Sequence, residues 1–468
     1  MSLWIAGKWI ETAEQTDVLN KYTGNKMASV SVATKEHIQA AVASAKQAMQ
    51  QLPLSAEQRF TILSKTSQIL LERQEAFAQI IAEEGGKPFK EAFTEVGRAA
   101  RTFLVAAEEA KRIHGEMVPI ATADPVSKLA FTLRTPIGVV CAISPFNFPI
   151  NLVAHKIAPA IAAGNAFVLK PASYTPLTAI ALVRAMEEAG LPPGYGHLVN
   201  GSGSTVGEWL LEEPGFAYYT FTGSPSVGKR LKQAIGLRRC TLELGSNAAT
   251  IVHHDADVER AALRCAQTAY SNAGQICISV QRIYVHKDVR EHFLHCLVKA
   301  AKALNVGDPS ERDTDVGPLI SLGDAKRAEA WIHEAVSEGA QLLCGGERDG
   351  VMLRPAVLVN VPRTAKVCRE EAFAPLVVVA SYDTIEEAIA GANESKYGLQ
   401  GGLFTASLDI MLKCAREIEV GGLMVNETSA YRSDEMPYGG VKESGIGREG
   451  PRYTIEEMTE AKLIVIHG

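Results

Sequence analysis

The sequence predicts an α/β fold with two domains in series. Three observations carry this prediction. Strand-like and helical patterns alternate through most of the 468 residues. The strand-like runs are short and almost wholly apolar, as parallel strands covered on both faces are. The alternation pauses at Glu243-Leu-Gly245 and then restarts. A chain of this length is also too long for one small core.

Taken in order, Ile38, Val42, Ala45 and Met49 recur on one helical face, with Thr34 placed to cap it. Ser55-Ala-Glu-Gln58 forms a capping box ahead of a long helix expected to reach about Glu83. Strands are expected at 138–143, 166–170, 218–221 and 240–244, with helices between them. After Gly245, strands are expected at 282–286, 356–361, 376–381, 401–404 and 422–426. Two segments stand outside the alternation. Residues 118–134 suggest two strands around Ala123-Asp-Pro125, and 461–467 suggest another. A lone hairpin is marginal and an exposed edge invites pairing. These pieces are therefore expected to pair together and to extend another subunit's sheet.

Composition excludes several classes. At 47% hydrophobic and 21% charged residues, the chain is ordinary for a soluble globular protein. A net charge of −6 without a basic run argues against nucleic-acid binding. The longest apolar stretches, such as 157–163, fall short of a membrane span, and no signal peptide is expected at the N-terminus. Eight cysteines occur singly, with no Cys-x-x-Cys pair, which argues against zinc sites and a disulfide framework. No metal is expected. The expected compartment is reducing and cytoplasmic, where Cys277 stays a free thiol.

Cys277 carries the chemistry. It lies in the loop Asn272-Ala-Gly-Gln-Ile-Cys277-Ile-Ser279. A free thiol near its ordinary pKa of ~8.5 is only a few per cent thiolate at neutral pH, so the loop must help it. Glu243 ends an apolar strand, a position suited to a catalytic carboxylate beside the crevice of an α/β sheet. Asn147 lies between Pro145 and Pro149, so its amide is fixed and can donate to a developing oxyanion. Together these groups can form a thioester and hydrolyse it. A Gly/Ser turn, Phe221-Thr-Gly-Ser224, joins a strand to a helix and suits a phosphate. Lys170-Pro-Ala-Ser173 closes another strand, where a lysine can reach ribose or phosphate.

Over essentially its whole length the chain resembles the aldehyde dehydrogenase superfamily. The matching motifs are Pro145-Phe-Asn-Phe-Pro149, Lys170-Pro171, Phe221-Thr-Gly-Ser224, Glu243-Leu-Gly245, Gly274-Gln-x-Cys277, Glu371-x-Phe373-x-Pro375 and Pro437-Tyr-Gly-Gly-Val-Lys-x-Ser-Gly445. The resemblance implies a Rossmann-like cofactor domain (1–117 and 137–244), a catalytic domain (245–450) and a β oligomerisation arm (118–136 and 451–468), assembled as a homodimer or homotetramer. It implies that Cys277 attacks the aldehyde, Asn147 holds the oxyanion and Glu243 activates the hydrolytic water. It places the cofactor against Ile143, Ser144, Lys170, Ser173, Gly207, Phe221, Gly223, Ser224 and Leu244. Glu371 would hold the nicotinamide ribose, with Phe373 near the ring.

Departures from the family pattern carry finer information. Many NAD-preferring relatives have Glu where this chain has Ser173. A carboxylate there would repel a 2′-phosphate, so NADP is the expected cofactor, with NAD the alternative. Ala374 replaces the usual Gly of Glu-x-Phe-Gly-Pro, and the change is expected to be tolerated. Arg98, His155 and Arg432 match anion-binding residues of relatives acting on phosphorylated or phosphono aldehydes. Those relatives carry Arg immediately before the nucleophile, where this chain has Ile276. The expected substrate is lactaldehyde or a similar small hydroxy- or anionic aldehyde. The alternatives are glyceraldehyde 3-phosphate, succinic semialdehyde, or a CoA-acylating activity, which would not need Glu243.

Overall fold

A computed structural model describes residues 1–121 and 128–467. The first sheet has eight strands, in the order Lys8–Ile10, Leu3–Ile5, Gly196–Leu198, Phe167–Lys170, Val140–Ile143, Tyr218–Thr222, Arg239–Glu243 and Gly445–Ile446. The five from Gly196–Leu198 to Arg239–Glu243 run parallel. The flanking strands on either side run antiparallel. From Val140–Ile143 the chain steps outward to Phe167–Lys170 and Gly196–Leu198. It then crosses to the other side at Tyr218–Thr222. That reversal opens a crevice at the carboxyl ends of Val140–Ile143 and Tyr218–Thr222, the usual ligand position in such a sheet.

The second sheet has seven strands, in the order Gln341–Cys344, Ala356–Val359, Leu376–Tyr382, Arg282–His286, Ala249–Val252, Gln400–Phe404 and Gly422–Val425. All are parallel except Gln341–Cys344. Each sheet has its own apolar core. After the second sheet the chain returns to the edge of the first, where Glu243 pairs with Gly445 and Leu242 with Ile446.

The first predicted helix forms at Lys35–Gln51, with Thr34 as its N-cap. The capping box at Ser55 also forms: Ser55 Oγ accepts from Gln58 N at 3.2 Å, and Gln58 Oε1 accepts from Ser55 N at 2.9 Å. The helix it opens is shorter than expected. It ends at Glu72, and a second helix spans Gln74–Gly85. Between them Arg73 takes φ −113°, ψ 23°. Its guanidinium bonds Glu188 on a neighbouring helix at 2.7 Å, a contact absent from any local pattern.

Lys128–Pro136 pairs antiparallel with Thr459–His467 along its whole length. Met117 bridges Phe131, and Val118 N donates to Ala130 O at 2.9 Å. The turn predicted at Ala123-Asp-Pro125 lies outside the described residues. Among the described residues no helix is long and apolar enough to cross a membrane, and no cluster of His, Cys, Asp and Glu could hold a metal ion. All eight cysteines are free thiols.

Candidate active site

Cys277 follows a single 3-10 turn, Ser271–Gly274, in which Asn272, Ala273 and Gly274 all have positive φ. A left-handed non-glycine residue costs about 1–3 kcal/mol and persists only when its surroundings fix it. Here they do. Glu91 accepts from Ser271 Oγ at 2.8 Å and from Asn272 N at 3.0 Å. Gln275 Oε1 accepts from Ile320 N at 2.8 Å. A Cβ on Gly274 would stand 2.1 Å from Ala374 O, so only glycine lets the two loops touch. Asn147 Nδ2 donates to Gln275 O at 2.8 Å. The amide predicted to hold an oxyanion thus sits directly against the loop that carries Cys277, with a second N–H to spare.

Cys277 faces a cavity of about 460 Å³ that is also lined by Glu243, Ile276, Arg98, Arg432, Phe148 and Tyr438. Three residues from distant parts of the sequence, Cys277, Glu243 and Arg98, therefore meet in one space. The Cys277 thiol is pushed up to about 12 by burial, and a hydrogen bond with Tyr438 Oη at 3.0 Å pulls the other way.

Glu243 is buried, and neither carboxylate oxygen has a hydrogen-bond partner among the described residues. Burial raises its pKa well above 4.5, and the nearby Glu449 raises it further. Glu449 shows the opposite behaviour. Burial works against its charge, yet Lys156 and Arg432 hold it down at about 2. Lys156 Nζ donates to Glu449 at 2.8 Å and to Thr222 Oγ1 at 2.6 Å, and Arg432 Nη2 donates to Glu449 at 3.2 Å. Two buried carboxylates of contrasting pKa are the arrangement that separates a proton acceptor from a fixed charge.

Asp434 stands behind the cavity wall and holds two of its lining residues, Arg98 and Asn151. It accepts from Arg98 Nε at 3.1 Å and Arg98 Nη2 at 2.9 Å, from Asn151 Nδ2 at 3.0 Å, and it contacts His155 Nε2 at 3.0 Å. Burial opposes ionisation of Asp434, but the His155 and Arg98 contacts hold its pKa well below the ordinary carboxylate range. His155 is fully buried and does not line the cavity; it stands behind Asp434. Arg432 does line the cavity, with its guanidinium 3.6 Å from the Tyr438 ring centroid.

Of the predicted cofactor residues, Ile143, Lys170 and Phe221 lie at the carboxyl ends of strands of the first sheet, and Ser144, Gly223, Ser224 and Leu244 lie just beyond strand ends. Ser144, just past Ile143, has a buried hydroxyl without a partner among the described residues. Phe221 precedes the turn in which Gly223 N donates to Glu243 O at 3.0 Å, and Ser224 caps the helix Pro225–Ile235. Leu244 N donates to Ser444 O at 2.9 Å. Gly207 ends a short turn, Gly203–Gly207, whose Ser202 caps it. Lys170 is buried with its Nζ on Pro171 O at 3.1 Å, and burial lowers its pKa to about 8. Ser173 is exposed and donates to Gly201 O at 3.0 Å. Glu371 accepts from Ser246 N at 3.0 Å, and burial raises its pKa to about 7. Phe373 has φ 47°, and its ring meets Phe146 edge-on at 5.8 Å.

Sequence reasoning missed Lys156, Glu449, Asp434 and the hydroxyl of Tyr438. Lys156 and Glu449 are 293 residues apart, so no spacing rule could join them. Tyr438 was visible only as part of a Pro-Tyr-Gly-Gly motif.

Comparison with known proteins bears on this geometry. The aldehyde dehydrogenase family model matches residues 9–464. A 3-sulfolactaldehyde dehydrogenase of Priestia aryabhattai is 53% identical over 99% of this chain and 98% of that protein. A lactaldehyde dehydrogenase of Methanococcus maripaludis is 39% identical over 100% of both chains. The crystal structure of glyceraldehyde-3-phosphate dehydrogenase GapN from Methanocaldococcus jannaschii, complexed with NADP, aligns with a TM-score of 0.93 at 38% identity. That alignment covers 98% of this chain and 100% of the other.

Proposed function

The chain belongs to the aldehyde dehydrogenase family, and we propose that it oxidises a short hydroxyaldehyde with an anionic or polar tail to its carboxylic acid, using NADP. NAD is the alternative cofactor. The first candidate substrate is 3-sulfolactaldehyde and the second is lactaldehyde. The observation that carries the proposal is the shared cavity: Cys277, Glu243, Arg98 and Arg432 line the same 460 Å³.

Cys277 Sγ attacks the aldehyde carbon. Asn147, with one N–H on Gln275 O and one free, and the Cys277 main-chain N–H hold the oxyanion. A nicotinamide cofactor held in its site would supply the hydride acceptor for this oxidation, and Cys277 carries the oxidised carbon as a thioester. Glu243, ionised at this stage, takes a proton from the water that attacks the thioester, and the acid departs. Glu449 is too weak a base for that step while Lys156 and Arg432 hold it ionised near pH 2.

Unpaired polar groups and a glycine contact support the cofactor site. Ser144 Oγ and both amide atoms of Asn200 are buried without partners among the described residues. A Cβ on Gly245 would stand 2.4 Å from Glu371 Oε2, so glycine lets that carboxylate close over the crevice. We assign Ile143, Ser144, Lys170, Ser173, Gly207, Phe221, Gly223, Ser224, Leu244, Glu371 and Phe373 to this site. Neutral Ser173 leaves room for a 2′-phosphate.

The tail preference follows from charge. Arg98 already holds Asp434, and Arg432 already holds Glu449. Each cation is partly neutralised, which suits a monoanion such as a sulfonate better than a phosphate dianion. Ile276, where an Arg would complete a phosphate clamp, adds none. His155 acts on the substrate only through Asp434. We further propose the three-part division given above, with the Lys128–Pro136 and Thr459–His467 ribbon pairing on a second copy. Leu129, Leu133, Leu463 and Ile466 are exposed on it, an apolar surface suited to burial.

The test is a panel of initial rates read at 340 nm without CoA. It takes 3-sulfolactaldehyde, lactaldehyde, glycolaldehyde, succinic semialdehyde and glyceraldehyde 3-phosphate with each cofactor. The expected ranking puts kcat/KM for 3-sulfolactaldehyde first. A phosphorylated aldehyde at least about tenfold better (~1.4 kcal/mol), or a requirement for CoA, contradicts the proposal.

A further inference from the structure

The Cys277 thiol sits in a setting that opposes its ionisation. It is half-buried, and Glu243 and Glu371 both disfavour a second negative charge nearby. The side-chain amide of Asn147 is directed to Gln275 O rather than to sulfur. Among the described residues the side chain hydrogen-bonded to Sγ is Tyr438, through its hydroxyl at 3.0 Å, and either atom can be the donor.

Tyr438 is built to stay there. Its main chain is pinned to the next segment, with Tyr438 N donating to Glu449 O at 3.0 Å and Glu449 N donating back to Tyr438 O at 2.6 Å. The ring is buried, and burial keeps the phenol protonated, so it always has a hydrogen to give. Arg432 covers the ring face at 3.6 Å, and Glu449 holds Arg432 in that place. A cation on the ring face draws electron density from the phenol and makes its O–H a stronger donor. The chain of contacts Glu449, Arg432, Tyr438, Cys277 therefore ends on the reacting atom.

We propose that Tyr438 is a catalytic residue whose hydroxyl donates to the Cys277 thiolate and keeps the nucleophile charged and in place until the aldehyde arrives. In the resting pair either atom can donate. Once the thiol proton has left to water, only the phenol has a hydrogen, and the bond becomes charge-assisted. When the S–C bond forms, sulfur loses its charge and the hydroxyl is released. The proposal rests on Cys277 being the nucleophile.

The experiment measures alkylation of Cys277 in the full-length enzyme by iodoacetamide, from pH 6 to 10, with the modified peptide identified by mass spectrometry. Sulfur displaces iodide, so the rate follows the thiolate. Tyr438→Phe removes one oxygen from a buried ring. It should slow Cys277 alkylation at pH 8 by about 5- to 20-fold. This is the thiolate lost with a hydrogen bond to a charged group, discounted for the higher nucleophilicity of a more basic sulfur. Site-specific 3,5-difluorotyrosine at position 438 keeps the hydroxyl and strengthens it as a donor, so the profile should move to lower pH. The second variant also decides the matter if the first does not fold. Unchanged or faster alkylation in Tyr438→Phe, or an unmoved profile with difluorotyrosine, overturns the proposal. Full activity after Cys277 is alkylated would instead refute the nucleophile assignment, so the two failures are distinguishable.

Discussion

Glu243→Gln should separate acylation from deacylation. The side chain is buried, its carboxylate has no hydrogen-bond partner among the described residues, and it lines the cavity with Cys277. The amide has nearly the same shape, so Cys277 and the cavity should be undisturbed. The nearby Glu449 cannot substitute as base, because it is fixed as a weak one at about 2. A positioned general base contributes roughly 10²–10⁴-fold. The steady-state rate of Glu243→Gln should fall by that factor, while a stopped-flow trace at 340 nm shows a burst approaching one reduced cofactor per active site. Glu243 also predicts a pH dependence. Its folded pKa is raised, so its contribution to stability is complete below the ordinary 4.5 and is lost as pH rises through the higher folded value. Wild type should therefore lose Tm toward alkaline pH relative to Glu243→Gln. Where deacylation limits, kcat should rise over the same range. A variant with an unchanged rate and no burst would refute the assignment.

Three further variants test the specificity argument. Ser173→Glu places a carboxylate beside the proposed 2′-phosphate. At about 4 Å such repulsion costs roughly 1–4 kcal/mol, so the NADP/NAD ratio of kcat/KM should fall at least about fivefold; an unchanged ratio puts the adenosine end elsewhere. Ile276→Arg should improve glyceraldehyde 3-phosphate relative to 3-sulfolactaldehyde by ~1.5–3 kcal/mol, the worth of a hydrogen bond to a charged group. An unmoved ratio of kcat/KM for the two substrates contradicts this. Asp434→Asn removes the negative charge that Arg98 pairs with and puts an NH2 donor in place of one carboxylate oxygen, among the donors Arg98 and Asn151. It should cost about 1–3 kcal/mol in urea unfolding, the penalty of unsatisfied buried groups, and raise KM more than it lowers kcat. Equal losses in kcat and kcat/KM would mean Asp434 acts in the chemistry itself.

The parts of the site visible in sequence are those fixed by local backbone. Gly274 precedes Cys277 because Ala374 O presses on that turn. Gly245 follows Glu243 because Glu371 folds over it. Such glycines leave a trace in sequence that a buried ion pair does not. Lys156 and Glu449 meet only because the helix Asn151–Ala162 and the segment after Gly445–Ile446 converge under the first sheet. The same holds for the fold. Strands with apolar runs, such as Arg282–His286, were legible to the residue. Ala249–Val252, only four residues beyond Gly245, merged with the turn before it. Leu3–Ile5 and Lys8–Ile10 are too short for alternation to register. The break at Arg73 leaves no glycine or proline in the sequence to mark it, and Arg73 bonds Glu188, 115 residues away.

Peptide mapping decides whether substrate carbon becomes joined to Cys277. Glu243→Gln is mixed with NADP and 3-sulfolactaldehyde, quenched in acid during the slow phase and digested. The peptide carrying Cys277 should gain the mass of the corresponding acyl group, cleavable by hydroxylamine, and none of the other seven cysteines should. Reduced cofactor formed in stoichiometric amount with Cys277 unmodified would contradict the attachment to Cys277.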